Sequence, residues 1–321
     1  MAERIVYLNG SFVPQSEAKV SVGDGGFLSG DGVYDVARTF AHKPFKVKEH
    51  IERLFTSLHY TRIDSGLSPS EMERLTLEVY EKNRPLLGKN DDYCLWQIVS
   101  RGTRFFEECN RPKGLATVSI FCTPVRFKEF ARYYVDGVKL VIPSTRRIPP
   151  QCLESKAKIC NKMNHYIANF EAQQVDPKAL PLMLDIDGTI AESSSSNFFF
   201  VHKETLYTPR NKNVLGGITR ASIMFLAANL GIKICEGDFT PHDVYSADEA
   251  FLTSNSPTIM PAQSLNGLKI GSEIPGPVTR DLIEGWSKMV NVDIVQQALS
   301  HLASQDQQQA RELWGREKKA A

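Results

Sequence analysis

Charge imbalance is the first thing this sequence lacks. Its 321 residues carry 38 Lys and Arg against 37 Asp and Glu, a formal net charge of +1. That leaves no electrostatic footprint for nucleic acid or an anionic membrane. No strongly basic block occurs, and the closing REKK is short. Long apolar runs are also missing: no run of apolar residues approaches the roughly 20 of a membrane-spanning helix. The opening MAERIVYLNG carries charge at once and does not read as a secretory signal. The six cysteines, at 94, 109, 122, 152, 160 and 235, form no CxxC pair. They read as reduced thiols of a cytoplasmic protein. Seven histidines are scattered without metal-ligand spacing, so no protein-bound metal is expected. There are no internal repeats.

What is present is ordinary globular composition, 42% hydrophobic and 23% charged, in a chain long enough for two domains. RIVYLNG and SFVP read as strands joined at an Asn-Gly turn. A glycine-rich stretch, GDGGFLSGDGVYDVARTF, ends strand-like. KEHIERLFTSLHYTRI has a helical apolar face of Ile51, Leu54, Phe55 and Leu58. PSEMERLTLEVYEKNRPLL reads as a second helix, and CLWQIVSRG and ATVSIFCTPV as strands. The class is α+β, with a small domain over 1–125, a linker over 126–137 and a large domain over 138–300. The large domain opens with strand VKLVIPS, then a helix near 160–174. LPLMLDIDGTIAES reads as a hairpin turning at Asp187-Gly188, and NFFFVHKETLYTP as a strand pair. TRASIMFLAANLG is a helix with Ile223, Leu226, Ala227 and Leu230 on one face, stopped by Gly231. The segment 301–321 is a polar, loosely held helical tail.

Four segments hold candidate chemistry. VLGGITRAS places two glycines before a helix, where free N–H groups and the dipole favour an anion. SKAKICNKMN offers Lys156 and Lys158, and a lysine becomes a nucleophile when burial or nearby cations lower its pKa; most lysines are merely solvated. In IAESSSSNFFF, a buried Glu192 needs a partner. A protonated ring nitrogen or an arginine would serve equally, and the serines and Asn197 are donors for an anion. Arg53 in HIERLF flanks an apolar helix face, where its planar fork can reach a phosphate or simply meet water.

The stretch LPLMLDIDGT also resembles the nucleophile motif of haloacid-dehalogenase-type phosphatases. Asp185 would take the phosphoryl group and Asp187 act as general acid around Mg²⁺. GDFTPHD resembles that family's downstream acidic motif. The hairpin context speaks against it, because that chemistry needs a strand, loop and helix in a parallel sheet.

Taken in order, six motifs resemble the class IV, fold type IV, pyridoxal-phosphate (PLP) aminotransferases over about residues 5–290. This family includes D-amino-acid, branched-chain and (R)-amine transaminases and aminodeoxychorismate lyase. The resemblance implies a two-domain α+β fold. GDGVYDV matches the segment bearing a substrate-side tyrosine, Tyr34. EHIERLF matches H-x-x-R-L, whose arginine binds the cofactor phosphate, Arg53. KICNKMN matches the motif whose lysine forms the Schiff base, which selects Lys158 over Lys156. AESSSSN matches T-E-G-S-S-S-N, whose glutamate meets the pyridine nitrogen, Glu192. VLGGITR supplies Leu215 against the ring, with Gly217, Ile218 and Thr219 toward the phosphate. FLTSNSPTIMP supplies Ser254 and Asn255 at the last phosphate turn.

The implied activity moves an amino group between a chiral amine or amino acid and a keto acid or ketone. Lys158 also shuttles the proton at the substrate carbon. Glu192 would keep the ring an electron sink, and a homodimer is implied. Departures from the pattern set the preference. The family's usual turn threonine is Asn255 here, and T-E-G is Ala-Glu-Ser. The Arg-x-His that binds a D-amino acid's carboxylate is replaced by TRFFEEC, with Phe106 at the arginine's place. Phe105 and Phe106 suggest an apolar pocket and lean the reading toward an (R)-amine transaminase, with Arg104 a candidate for the acceptor's carboxylate. Branched-chain or D-amino-acid transamination is the alternative, followed by 4-amino-4-deoxychorismate lyase.

Overall fold

The computed structural model describes residues 3–103 and 115–316. Met1–Val125 with Ala157–Lys162 make one compact unit; Arg126–Lys156 with Met163–Ala321 make the other.

The first unit is built on strands β1 (Ile5–Leu8), β2 (Ser11–Pro14), β3 (Gly32–Phe40), β4 (Lys43–Phe45), β5 (Tyr93–Ser100) and β6 (Thr117–Pro124), with helices α1 (Gly25–Ser29), α2 (Val47–Thr61) and α3 (Pro69–Asn83). The strand order is β2-β1-β6-β5-β3-β4, antiparallel throughout. Asn9 and Gly10 both take positive φ, 51° and 96°, as a two-residue hairpin requires. On α2, Ile51, Leu54 and Leu58 are buried, with Phe55 packed against their cluster. Helix α3 starts at a reciprocal Ser68–Glu71 capping box with Pro69 in its first turn, which satisfies two otherwise orphan N–H groups.

The second unit opens with α4 (Phe127–Phe130) and α5 (Tyr133–Asp136). These occupy the span read as a linker, and they bury Phe127, Phe130 and Tyr134. Then follow β7 (Val138–Val141), α6 (Met163–Val175), β8 (Leu180–Pro181), β9 (Asn197–His202), β10 (Thr205–Pro209), α7 (Ile218–Asn229) and β11 (Lys233–Gly237). The chain ends with α8 (Pro241–Tyr245), β12 (Glu249–Ser254), β13 (Thr258–Leu265), β14 (Leu268–Lys269), α9 (Pro277–Val290), α10 (Ile294–Leu299) and α11 (Ser304–Arg316). The mixed sheet runs β11-β10-β9-β12-β13-β7-β8, with β14 on β13. Leu184 and Ile190 bridge across the Asp187-Gly188 turn. Leu230 of the expected α7 face is instead 49% exposed, at the helix end. The polar α11 is docked rather than loose: Ala310 and Trp314 are buried, and Arg280 lies over the Trp314 ring at 4.6 Å.

Candidate active site

In the first unit, the segment after Ala157 is laid against β3. Lys158 N–H donates to Ser57 Oγ at 3.0 Å. Tyr34 N–H donates to the Lys158 carbonyl at 2.9 Å, and Cys160 N–H to the Gly32 carbonyl at 2.8 Å. Gly32 permits this approach, because a Cβ there would stand 3.0 Å from the Val99 carbonyl and 3.3 Å from Cys160 Sγ. Lys158 Nζ lies 4.6 Å from the centre of the Tyr34 ring, a cation–π distance. Tyr34 stacks on Trp96 at 6.1 Å, and Trp96 on Phe121 at 5.9 Å. Trp96 Nε1 donates to Thr123 Oγ1 at 2.9 Å, which fixes the indole.

Strand alternation sends Asp35 to the opposite face from Tyr34, toward α2. Arg53 and His50, three apart on that helix, meet it. Arg53 Nε donates to Asp35 Oδ2 and Nη2 to Oδ1, both at 2.8 Å, and His50 Nδ1 lies 2.7 Å from Oδ1. Burial pushes the Asp35 carboxyl up, but Arg53 and His50 outweigh it and hold it well below the usual carboxylate range. Burial holds His50 below its ordinary value despite Asp35, so the ring is neutral. Burial also pushes the Tyr34 phenol up, with Lys162 opposing, and raises the Cys160 thiol to about 11. Neither is ionised at neutral pH.

In the second unit, Glu192 is 4% exposed. Its Oε1 accepts from Arg147 Nε at 3.0 Å. Its Oε2 accepts from Asn197 Nδ2 at 3.2 Å and from Leu215 N–H at 3.0 Å. Asn197 Nδ2 also donates to the Leu215 carbonyl at 2.9 Å, so one amide ties strand β9 to the loop before α7. Gly217 caps α7 with no side-chain hydrogen bond, which leaves the helix start open to an anion. A Cβ at Gly217 would fall 2.0 Å from Asn197 Oδ1, so only glycine fits. Across the sheet Asn197 pairs with Thr253, at the end of β12. Beyond it, Thr253 Oγ1, Asn255 Nδ2 and Thr258 Oγ1 are buried without a hydrogen-bond partner. Thr258 has φ of +65°, a strained setting for a β-branched residue.

Thus Tyr34, Arg53 and Lys158 are gathered in the first unit, and Glu192, Leu215 and Gly217 in the second. Ile218 and Thr219 open α7, and Ser254 and Asn255 lie at and just past the end of β9's partner strand. Arg104, Phe105 and Phe106 lie outside the described residues. The aspartates of the phosphatase-like motif serve a turn: Asp185 accepts from Asp187 N–H, Thr189 N–H and Thr189 Oγ1 at 3.0, 2.9 and 2.7 Å. Sequence reasoning missed Asp35, His50, Trp96, Arg147, Thr253 and Thr258. Asp35 carried a signal, since a carboxylate at the core-facing parity of Val33 and Ala37 must have partners. Arg147 carried none, being 45 residues from the glutamate it meets.

The family model described as "Amino-transferase class IV" matches residues 32–265. The chain belongs to the class IV aminotransferases. A putative branched-chain-amino-acid aminotransferase of Methanocaldococcus jannaschii is 33% identical over 284 residues, covering 87% of this chain and 94% of the relative. A D-alanine aminotransferase of Staphylococcus aureus is 30% identical over 286 residues, covering 89% and 97%. The branched-chain amino acid aminotransferase of Escherichia coli superposes with a TM-score of 0.82 at 26% identity, over 90% of this chain and 95% of that one. The branched-chain amino acid aminotransferase of Thermobaculum terrenum, in its PLP holo form, does so with a TM-score of 0.78 at 25% identity, over 90% and 94%. This aminotransferase therefore has the two-domain α+β architecture of fold type IV and uses PLP. The residues present suit that cofactor. The uncapped start of α7 and the unpartnered Asn255 amide are donors for a phosphate, and Glu192 is an acceptor for a ring N–H.

Proposed function

We propose that this class IV enzyme transaminates amino donors with an apolar side group, chiral (R)-amines foremost, onto a keto acid or ketone. When bound, PLP supplies an aldehyde to receive the amino group and a ring to delocalise the electron pair left on the substrate carbon. Lys158 anchors the cofactor and carries the proton at that carbon. Arg53, the α7 amides at Ile218 and Thr219, Ser254 and Asn255 hold the phosphate. Glu192 accepts from the ring nitrogen, and Leu215 and Gly217 border the ring. Tyr34 orients the substrate, with Arg104 and Phe106 as its further neighbours.

The observation that supports an apolar donor is the row Tyr34–Trp96–Phe121 beside Lys158 Nζ. Such rings favour an aromatic or branched group by burying its apolar surface. A panel of both enantiomers of 1-phenylethylamine, both of alanine, and the branched-chain amino acids tests it. The reading requires (R)-1-phenylethylamine to be a better donor than its mirror image and than either alanine. A preference for alanine overturns it. The second reading, branched-chain amino acid transamination, draws on the names of the relatives. Pyruvate release without a keto acceptor would mark a lyase instead.

We also propose a homodimer. Helix α6 exposes Met163, Tyr166, Ile167 and Phe170 on one face, the spacing of an apolar stripe that a second copy could cover.

A further inference from the structure

We propose that Arg147 is a positioning residue that aims the Glu192 carboxylate and, by sharing its Oε1, sets how tightly the bound cofactor's ring nitrogen holds its proton. The inference rests on Glu192 facing the cofactor's ring nitrogen, the reading given above.

Count the acceptor sites on the carboxylate. Each oxygen has two lone-pair directions in its plane. Oε2 is filled by Asn197 Nδ2 and Leu215 N–H. Oε1 takes Arg147 Nε and has one direction left. A ring N–H therefore shares Oε1 with the guanidinium. The two side chains are 9% and 6% exposed, so water screens the pair little.

Two consequences follow. First, a full positive charge and two neutral donors fix the carboxylate in place, so removing the guanidinium would leave one of its buried oxygens without a donor. Second, that same charge competes with a pyridinium proton for one oxygen. A lone glutamate would hold a ring proton more tightly than this paired one does.

The guanidinium is itself aimed by backbone structure. Arg147 N–H donates to the Leu184 carbonyl at 2.8 Å, and that stretch runs through the 184–190 turn and on to Glu192. Both partners are thus set from one short piece of chain.

The test follows the visible absorbance of the holoenzyme against pH in wild type, Arg147→Gln, Arg147→Lys, Glu192→Gln and the Arg147→Gln/Glu192→Gln double variant. PLP dissociation constants come from fluorescence of the same proteins. Arg147→Gln is expected to move the absorbance transition by about one pH unit or more, and Arg147→Lys by less. In PLP affinity the two single losses should fail to multiply, by about fivefold or more, in the double variant. If Glu192→Gln moves the transition and Arg147→Gln leaves it in place, this inference falls while the contact between Glu192 and the ring stands. If Glu192→Gln itself moves nothing, the contact falls and Arg147's role with it. Should Arg147→Gln not fold, Arg147→Lys decides: a transition identical to wild type with no change in PLP affinity overturns the proposal.

Discussion

The guanidinium of Arg53 meets Asp35 edge-on, with Nε 2.8 Å from Oδ2 and Nη2 2.8 Å from Oδ1. The fork is fully aligned with the carboxylate, so the arginine's orientation is settled by the protein before any phosphate arrives. Asp35→Asn would leave a largely buried cation half-paired. It is expected to cost about 3 kcal/mol in urea unfolding and to weaken PLP binding. Unchanged stability would show the pair to be dispensable.

Acid should destabilise the protein in two stages. His50 has a folded pKa below its ordinary 6.5, because of burial. Its contribution is complete above that value and is lost as pH falls toward the folded pKa. Asp35 lies below its ordinary 3.8, so its share is complete above that value and disappears in stronger acid. Melting temperatures taken from pH 8 down to pH 3 should fall with pH, and His50→Asn should flatten the upper stage. A melting temperature that rises from pH 7 to pH 5 would contradict this.

Lys158→Ala is expected to abolish the enzyme's visible colour and to cut turnover by about a hundredfold to ten-thousandfold. Lys156→Ala should leave both intact. The two variants, read by absorbance and by donor consumption, separate the neighbouring lysines.

Asn255→Ala removes a buried amide whose Nδ2 has no protein partner. Stability without cofactor should hold, while affinity for PLP drops about tenfold, the worth of a hydrogen bond to a charged group. A loss of stability with unchanged affinity would point to a structural role.

Trp96→Ala should raise KM for 1-phenylethylamine or leucine by about tenfold and change alanine far less, since a small donor gains little from the aromatic row. Equal effects on all donors would indicate that the indole only supports Tyr34.

Local signals make much of this molecule readable. The Asn9-Gly10 turn, the Ser68 cap and the helical spacing of Ile51, Leu54 and Leu58 each declare themselves within a few residues. The segments holding Lys158 and Glu192 stand out only through the order of six family motifs, since each is modest by itself. The rest depends on contacts remote in sequence. Arg147 finds Glu192 only when the chain between them has folded, and Trp96 meets Tyr34 only through the register that sets Val36 opposite Trp96. The tail's polar composition hides its docking, because among its described residues the helix buries just Ala310 and Trp314 and is otherwise held by polar contacts such as Arg132 donating to Gln309. The span 126–137 reads as a connector because its two helices are only four residues each, yet Phe127, Phe130 and Tyr134 are buried.

Ala157–Lys162 belongs to the first unit although the residues before and after it belong to the second. A fragment ending at Val125 would therefore strand the Tyr34 N–H and the Gly32 carbonyl without the strap they bond to. Neither piece of a chain severed there is a self-sufficient module, and shuffling one unit between relatives would have to carry the lysine strap along as a separate graft.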